Sequence, residues 1–180
     1  TGETSKTRTP PSLKRRCPYS HGSESDLSDD VLGATPEPYS IMTFLDTNVV
    51  IYASQPHSSF HGWARDTIAN AVGGKGAVIN AVGLAELCVG DPNPTTVASR
   101  LRGWGIAILD LPAAASQICA RAFGVYLQRR SSHVGGSPPK VPLPDFFIGA
   151  HCELMGWELA TADVGRFQTY FPGVALITPS

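Results

Sequence analysis

Short apolar segments alternating with helical patterns predict an α/β protein, a three-layer α/β/α fold with a central parallel β-sheet covered on both faces. Two further observations support this class. The chain has 180 residues and a hydrophobic fraction of 42%, enough for one domain with a full-sized core. Acidic residues fall at the ends of several apolar segments, and open parallel sheets hold their ligands outside the carboxyl ends of the strands.

The elements follow in order. Met42 to Leu45 is an apolar strand ending on Asp46, and Thr47-Asn48 offers a helix cap. Phe60, Trp63, Ala64, Ile68, Ala71 and Val72 recur at helical spacing until Gly73-Gly74-Lys75-Gly76 ends that helix. Ala77 to Ile79 forms a second strand, with Asn80 capping the helix that carries Glu86. Val97, Leu101 and Trp104 mark a further helix, followed by the strand Ile106 to Leu109. Pro112 opens a long helix through Arg130, with a stripe of Ala115, Ile118, Cys119, Ala122, Val125 and Tyr126. A Gly/Pro/Ser loop covers 131–143. Pro144 then starts a helix with Phe147, Ala150, His151 and Leu154, which Gly156 stops. Glu158 to Thr161 and Val174 to Ile177 supply the last strands.

Residues 1–41 differ from the rest. Thr, Ser, Pro and charged residues dominate, Lys14-Arg15-Arg16 precedes an acidic stretch from Glu24 to Asp30, and neither helical nor strand periodicity persists. Such a segment cannot bury enough apolar surface to offset its ordering entropy, so a disordered extension is expected. A second reading takes Met42 as the natural start, with 1–41 upstream of it. The basic triplet is a solvated charge run or, alternatively, an RNA-tethering arm.

The formal charge of −1 argues against a broad basic coat that binds nucleic acid by counterion release alone. Cys17, Cys88, Cys119 and Cys152 lie far apart without a C-x-x-C pair, which reads as buried thiols in a reducing cytosol. No apolar run approaches the roughly 20 residues of a membrane span, and no signal-peptide core is evident. A cytoplasmic protein is expected.

Asp46, Glu86, Asp145 and Asp163 are the candidate site. Asp46 and Asp163 follow strands, Asp145 sits in the first turn of its helix where the positive dipole end favours an anion, and Glu86 has reach from its own helix. Charges at the rim of a core are rarely idle. Four ionised carboxylates about 5 Å apart repel by roughly 3 kcal/mol per pair at an effective dielectric of 20, so a cluster requires protons or a divalent cation. The alternative is four unrelated solvated acids.

From Met42 to Ser180 the chain resembles the PIN-domain ribonucleases, most closely the VapC-type toxins of bacterial toxin-antitoxin pairs. The resemblance rests on Leu45-Asp46-Thr47-Asn48, on Glu86 in the helix after the second strand, and on Pro144-Asp145 opening the helix through Ile148-Gly149-Ala150-His151. Leu159 to Asp163, Phe167, Pro172-Gly173-Val174 and Pro179 complete it. It implies a PIN domain over 42–180 in which Asp46, Glu86, Asp145 and Asp163 bind Mg2+ or Mn2+, while Thr161 and Asn48 orient the metal's water shell and the substrate phosphate. Mg2+ keeps several waters and makes hydroxide available for in-line attack on RNA, leaving a 5′-phosphate and a 3′-hydroxyl. It further implies a small cognate antitoxin that presents an arginine to the acids, and a homodimer. Arg166 departs from the pattern, standing where relatives often have another acid. This argues against a second fully occupied metal site and adds a cation that could contact phosphate.

Competing signals are weaker. His57 and His61 have i, i+4 spacing but no following Glu and no third zinc ligand. Gly73 to Gly76 does not meet the phosphate-loop pattern and reads as a turn. His151 and Cys152 point in different directions on a helix, so Cys152 is read as core. Arg129, Arg130, His133 and Lys140 either guide an RNA backbone or belong to a solvated loop. Tyr126 and Trp104 fit core or dimer packing better than base stacking. A phosphatase with an aspartate nucleophile would want an acid where Asn48 stands. A catalytically silent PIN module that binds RNA or protein is the remaining alternative.

Overall fold

The computed structural model describes residues 41–131 and 141–180. Five short strands, β1 (Thr43–Leu45), β2 (Ala77–Asn80), β3 (Ile106–Leu109), β4 (Glu158–Ala160) and β5 (Leu176–Ile177), form one sheet in the order β3-β2-β1-β4-β5. Every pairing is parallel, and Phe44 lies level with Val78 on one side and Leu159 on the other. The connecting helices are α1 (Thr47–Ser54), α2 (His61–Gly73), α3 (Ala81–Val89), α4 (Pro94–Gly103), α5 (Ala115–Ser131), α6 (Pro144–Met155) and α7 (Val164–Tyr170).

The period of two along each strand sorts the core into two halves. Phe44, Val78 and Leu159 face a cluster built from α5, α6 and α7, including Cys119, Phe123, Phe146, Ile148 and Phe167. Leu45, Ile79 and Ala160 face a second cluster with Val49, Ala64, Ile68, Val97 and Leu101 from α1, α2 and α4. A sheet covered on both faces leaves its central strands no solvent side, and β1 and β2 are buried throughout, including the polar Thr43 and Asn80 at their ends. The expected three-layer α/β/α architecture is therefore the observed one.

Several boundaries differ from the sequence reading. Asp46 itself, with φ −65° and ψ 150°, caps α1, because β1 runs in extended backbone straight into the helix. Pro112 opens a turn rather than the helix itself, with Ala115 N–H bonded to Pro112 O and Ser116 N–H to Ala113 O, and α5 begins at Ala115. Helix α7 is absent from the periodicity reading, since Phe167 is its one buried residue. Trp104 and Val125 are partly exposed rather than core, Phe123 is buried in the place assigned to Val125, and Cys88 is only half-buried. Gly156 stops α6 as expected, with φ 67°. The N-terminal extension, Cys17 and most of the 131–143 loop, including His133 and Lys140, lie outside the described residues. Among the described residues no helix is long and apolar enough to cross a membrane.

Candidate active site

β1 and β4 are neighbours, yet the chain leaves β1 towards β2 and leaves β4 towards β5. Such a reversal opens a crevice at the carboxyl ends of the two strands. Asp46 and Thr161, the residues immediately after β1 and β4, stand at its mouth. The backbone N–H of Asp46 bonds to Ala160 O at 3.0 Å and that of Thr161 to Ile177 O at 3.0 Å, so both positions are fixed by the sheet.

Asp46 is 3% exposed. Its Oδ2 accepts hydrogen bonds from Thr161 Oγ1 at 2.7 Å and Asn48 Nδ2 at 2.6 Å. Thr161 Oγ1 in turn accepts from Asn48 Nδ2 at 3.2 Å and from the backbone N–H of Asp163 at 3.0 Å, and Asn48 Oδ1 accepts from Ala162 N–H at 3.3 Å. Asn48 and Thr161 therefore tie the segment after β4 to the start of α1 and hold the Asp46 carboxylate between them. Burial raises the Asp46 pKa, hydrogen bonds from Thr161 and Thr47 oppose that, and the charge of Asp163 adds to it.

Glu86 reaches the same place from α3. Asn80 fixes the start of that helix by accepting from Gly83 N–H at 3.0 Å. Thr47 Oγ1 lies 3.4 Å from both Asp46 Oδ1 and Glu86 Oε2. One hydroxyl has one proton to donate, so it serves one carboxylate at a time. The Glu86 pKa is raised by burial first and by Asp46 second, with Thr47 and Arg166 opposing. Thr47, read from sequence only as a cap, is the link between these two acids. Its position between Asp46 and Asn48 was the available signal.

Asp145 occupies the first turn of α6, after Pro144. Its Oδ2 is ion-paired with Arg166 Nη1, and Arg166 Nε lies 3.8 Å from Asp163 Oδ2. Asp163 caps α7 by accepting from the backbone N–H of Arg166 at 3.5 Å. The acids thus form two pairs, Asp46–Glu86 bridged by Thr47 and Asp145–Asp163 bridged by Arg166. Among the described residues no three His, Cys, Asp or Glu side chains are disposed to hold an ion as they stand. The chemistry of the donors nevertheless fits a hard divalent cation: all are carboxylate oxygens, and the nearby Cys152 thiol is fully buried with its pKa pushed up by burial and by Asp46.

The competing signals resolve in this frame. His61 Nδ1 lies 3.1 Å from Tyr52 O and belongs to no metal group among the described residues. Gly76, with φ 98°, turns the chain into β2. His151 is buried against Phe44 and Trp157, and Cys152 is core. Arg130 Nη1 donates to Tyr126 Oη at 2.8 Å, and Arg129 stands 5.7 Å from the Tyr170 ring centre. Tyr126 itself packs against Phe123 and Phe146. Trp104 instead lines a groove of about 390 Å³ beside Glu86, with Val50, Ile51, Leu87, Val97 and Leu101.

Residues 43–170 match the PIN domain model, and the chain belongs to the PIN-domain family. Its fold is also that of several solved toxin-antitoxin structures. VapBC2 from Rickettsia felis, crystallised with a promoter DNA fragment, is 19% identical with a TM-score of 0.58, covering 78% of this chain and 99% of that one. DNA-bound VapBC from Salmonella typhimurium is 20% identical with a TM-score of 0.54, covering 77% and 98%. VapC20 from Mycobacterium tuberculosis, described as a toxin that cleaves the sarcin-ricin loop, is 14% identical with a TM-score of 0.52, covering 76% and 99%. No curated protein sequence matches the chain.

Proposed function

We propose that this PIN domain is a divalent-metal-dependent endoribonuclease and the toxin of a type II toxin-antitoxin pair. The observation that carries the reading is the Asp46 carboxylate, buried at the switch point of the sheet, short of charge compensation and oriented by Asn48 and Thr161. A buried carboxylate with a second acid across a shared hydroxyl is costly unless a cation joins it. Mg2+ or Mn2+ would be held within the acidic set Asp46, Glu86, Asp145 and Asp163. Bound there, the ion would lower the pKa of a coordinated water and stabilise charge on the phosphoryl oxygens. The chain's own part is orientation. Thr161 and Asn48 fix the direction of the Asp46 lone pairs, Thr47 sets the spacing to Glu86, and the half-exposed Asp163 leaves the pocket open to an RNA backbone.

Toxin function is supported by the fold shared with the VapBC structures, which contain an antitoxin. The groove beside Glu86 has the apolar lining to receive a partner's side chains, and a partner guanidinium could pair with the free acids as a metal would. Toxin homodimerisation and action in the cytoplasm belong to the same reading. The alternative, a silent module that binds RNA or protein, draws on Arg166, which neutralises part of the carboxylate set without any metal.

Cleavage of bulk RNA by the purified full chain decides between them. Cleavage that requires Mg2+ or Mn2+, stops with chelator and is lost in Asp46→Asn is expected. Near-parental cleavage by a folded Asp46→Asn protein overturns the assignment, and a folded parent inert with either ion leaves the silent module.

A further inference from the structure

We infer that the pocket takes a single divalent cation per chain, at the Asp46–Glu86 pair, because Arg166 already acts as the cation of the Asp145–Asp163 pair. The inference rests on the nuclease reading above and specifies its metal requirement.

The geometry makes Arg166 part of the pocket rather than a surface charge passing over it. Nη1 is engaged on Asp145 Oδ2, and Nε faces Asp163 Oδ2 at 3.8 Å. The backbone holds it there, since Arg166 N–H is the donor that Asp163 caps at 3.5 Å, so the arginine and one of its carboxylates are set by the same turn of α7. The pair joins α6 to α7 and is only partly open to solvent, Arg166 being 38% and Asp145 17% exposed. A guanidinium keeps its charge at any pH the protein survives, and its planar fork can face two carboxylates at once.

The other two acids have no such partner. Neither Asp46 nor Glu86 forms an ion pair among the described residues, and the one group between them is the Thr47 hydroxyl. Four carboxylates and one guanidinium carry three formal negative charges. One divalent ion leaves a single negative charge. A second would have to share the Asp145 and Asp163 oxygens with a guanidinium already on them, and like charges at that distance exclude each other.

Mn2+ titration of the full chain, followed by calorimetry and by the electron paramagnetic resonance signal of free Mn2+, tests this. The expected stoichiometry is one Mn2+ per chain for the parent and for Arg166→Lys, which keeps the charge. Arg166→Ala is expected to bind two, and Asp46→Asn to weaken the single ion of the parent by more than about tenfold. Two ions in the parent, or one in a folded Arg166→Ala protein, overturns the inference while leaving the nuclease reading intact. No ion in a folded parent overturns both. Thermal melts accompany each variant, and the partly exposed position of Arg166 on α7 favours retained folding.

Discussion

Thr161 Oγ1 donates a 2.7 Å hydrogen bond to Asp46 Oδ2, joining the end of β4 to the end of β1 across 115 residues of sequence. Both groups are buried, so the bond cannot be replaced by water without opening the sheet edge. Thr161→Val keeps the shape and removes the donor. It should destabilise the domain by about 1–3 kcal/mol at pH 7, the cost of leaving a buried acceptor under-satisfied, while Thr161→Ser stays near the parent. Denaturant unfolding of the two variants measures this. Equal stability of the valine variant and the parent would show that Asp46 does not depend on this donor.

The metal-free domain should lose stability as pH rises from about 4. Burial raises the pKa of Asp46 above its ordinary 3.8 and that of Glu86 above 4.5, despite hydrogen bonds from Thr161 and Thr47. Through that window the folded state therefore holds protons that the unfolded chain has released, and stability present below the ordinary values is lost as pH climbs through the raised ones. Glu158 works in the opposite sense. Burial raises it, but Thr43 and Lys75 more than offset this and lower its pKa, so its contribution is present above 4.5 and lost on acidification. Melting temperature against pH in chelator, for the parent and Asp46→Asn, separates the two. The variant should have the flatter profile above pH 4 and equal or higher stability at pH 7.

Gly149→Ala should destabilise despite improving helix propensity. A Cβ at this position in α6 would come within 2.3 Å of the Phe171 ring, which is fully buried and cannot swing away. Alanine gains about 1 kcal/mol over glycine in a helix interior, whereas overpacking a core costs about 1–3 kcal/mol. The clash should win, with a lower melting temperature as the readout. An unchanged or higher value would mean that α7 and Phe171 can shift at little cost.

Ile51→Glu should separate inhibition from catalysis. Ile51 is 41% exposed on α1 and lines the groove that also contains Glu86 and Trp104. A charge there should weaken a partner that packs apolar side chains in the groove by about 1–3 kcal/mol, with RNA cleavage retained. Calorimetry with the product of an adjacent antitoxin gene measures it. Unaltered affinity would place the partner elsewhere on the surface.

The sequence by itself determined the layers and the acids. Segments such as Met42–Leu45 and Ala77–Ile79 are short and mostly apolar, which suffices for a doubly covered parallel sheet. Proline, glycine and asparagine at 144, 156 and 80 mark helix ends through backbone preferences that act locally. Asp46, Glu86, Asp145 and Asp163 stood out because each interrupts an apolar segment. What only the tertiary structure decided is how those acids are partnered. Thr47 links Asp46 to Glu86, Thr161 reaches Asp46 from the neighbouring strand, and Arg166 joins Asp145 to Asp163 from α7, a helix whose single buried residue leaves no periodic trace. The reason is physical: periodicity and capping are short-range and are written in neighbouring residues, whereas a hydrogen bond or ion pair across the crevice depends on strand order and side-chain reach, which the whole sheet sets.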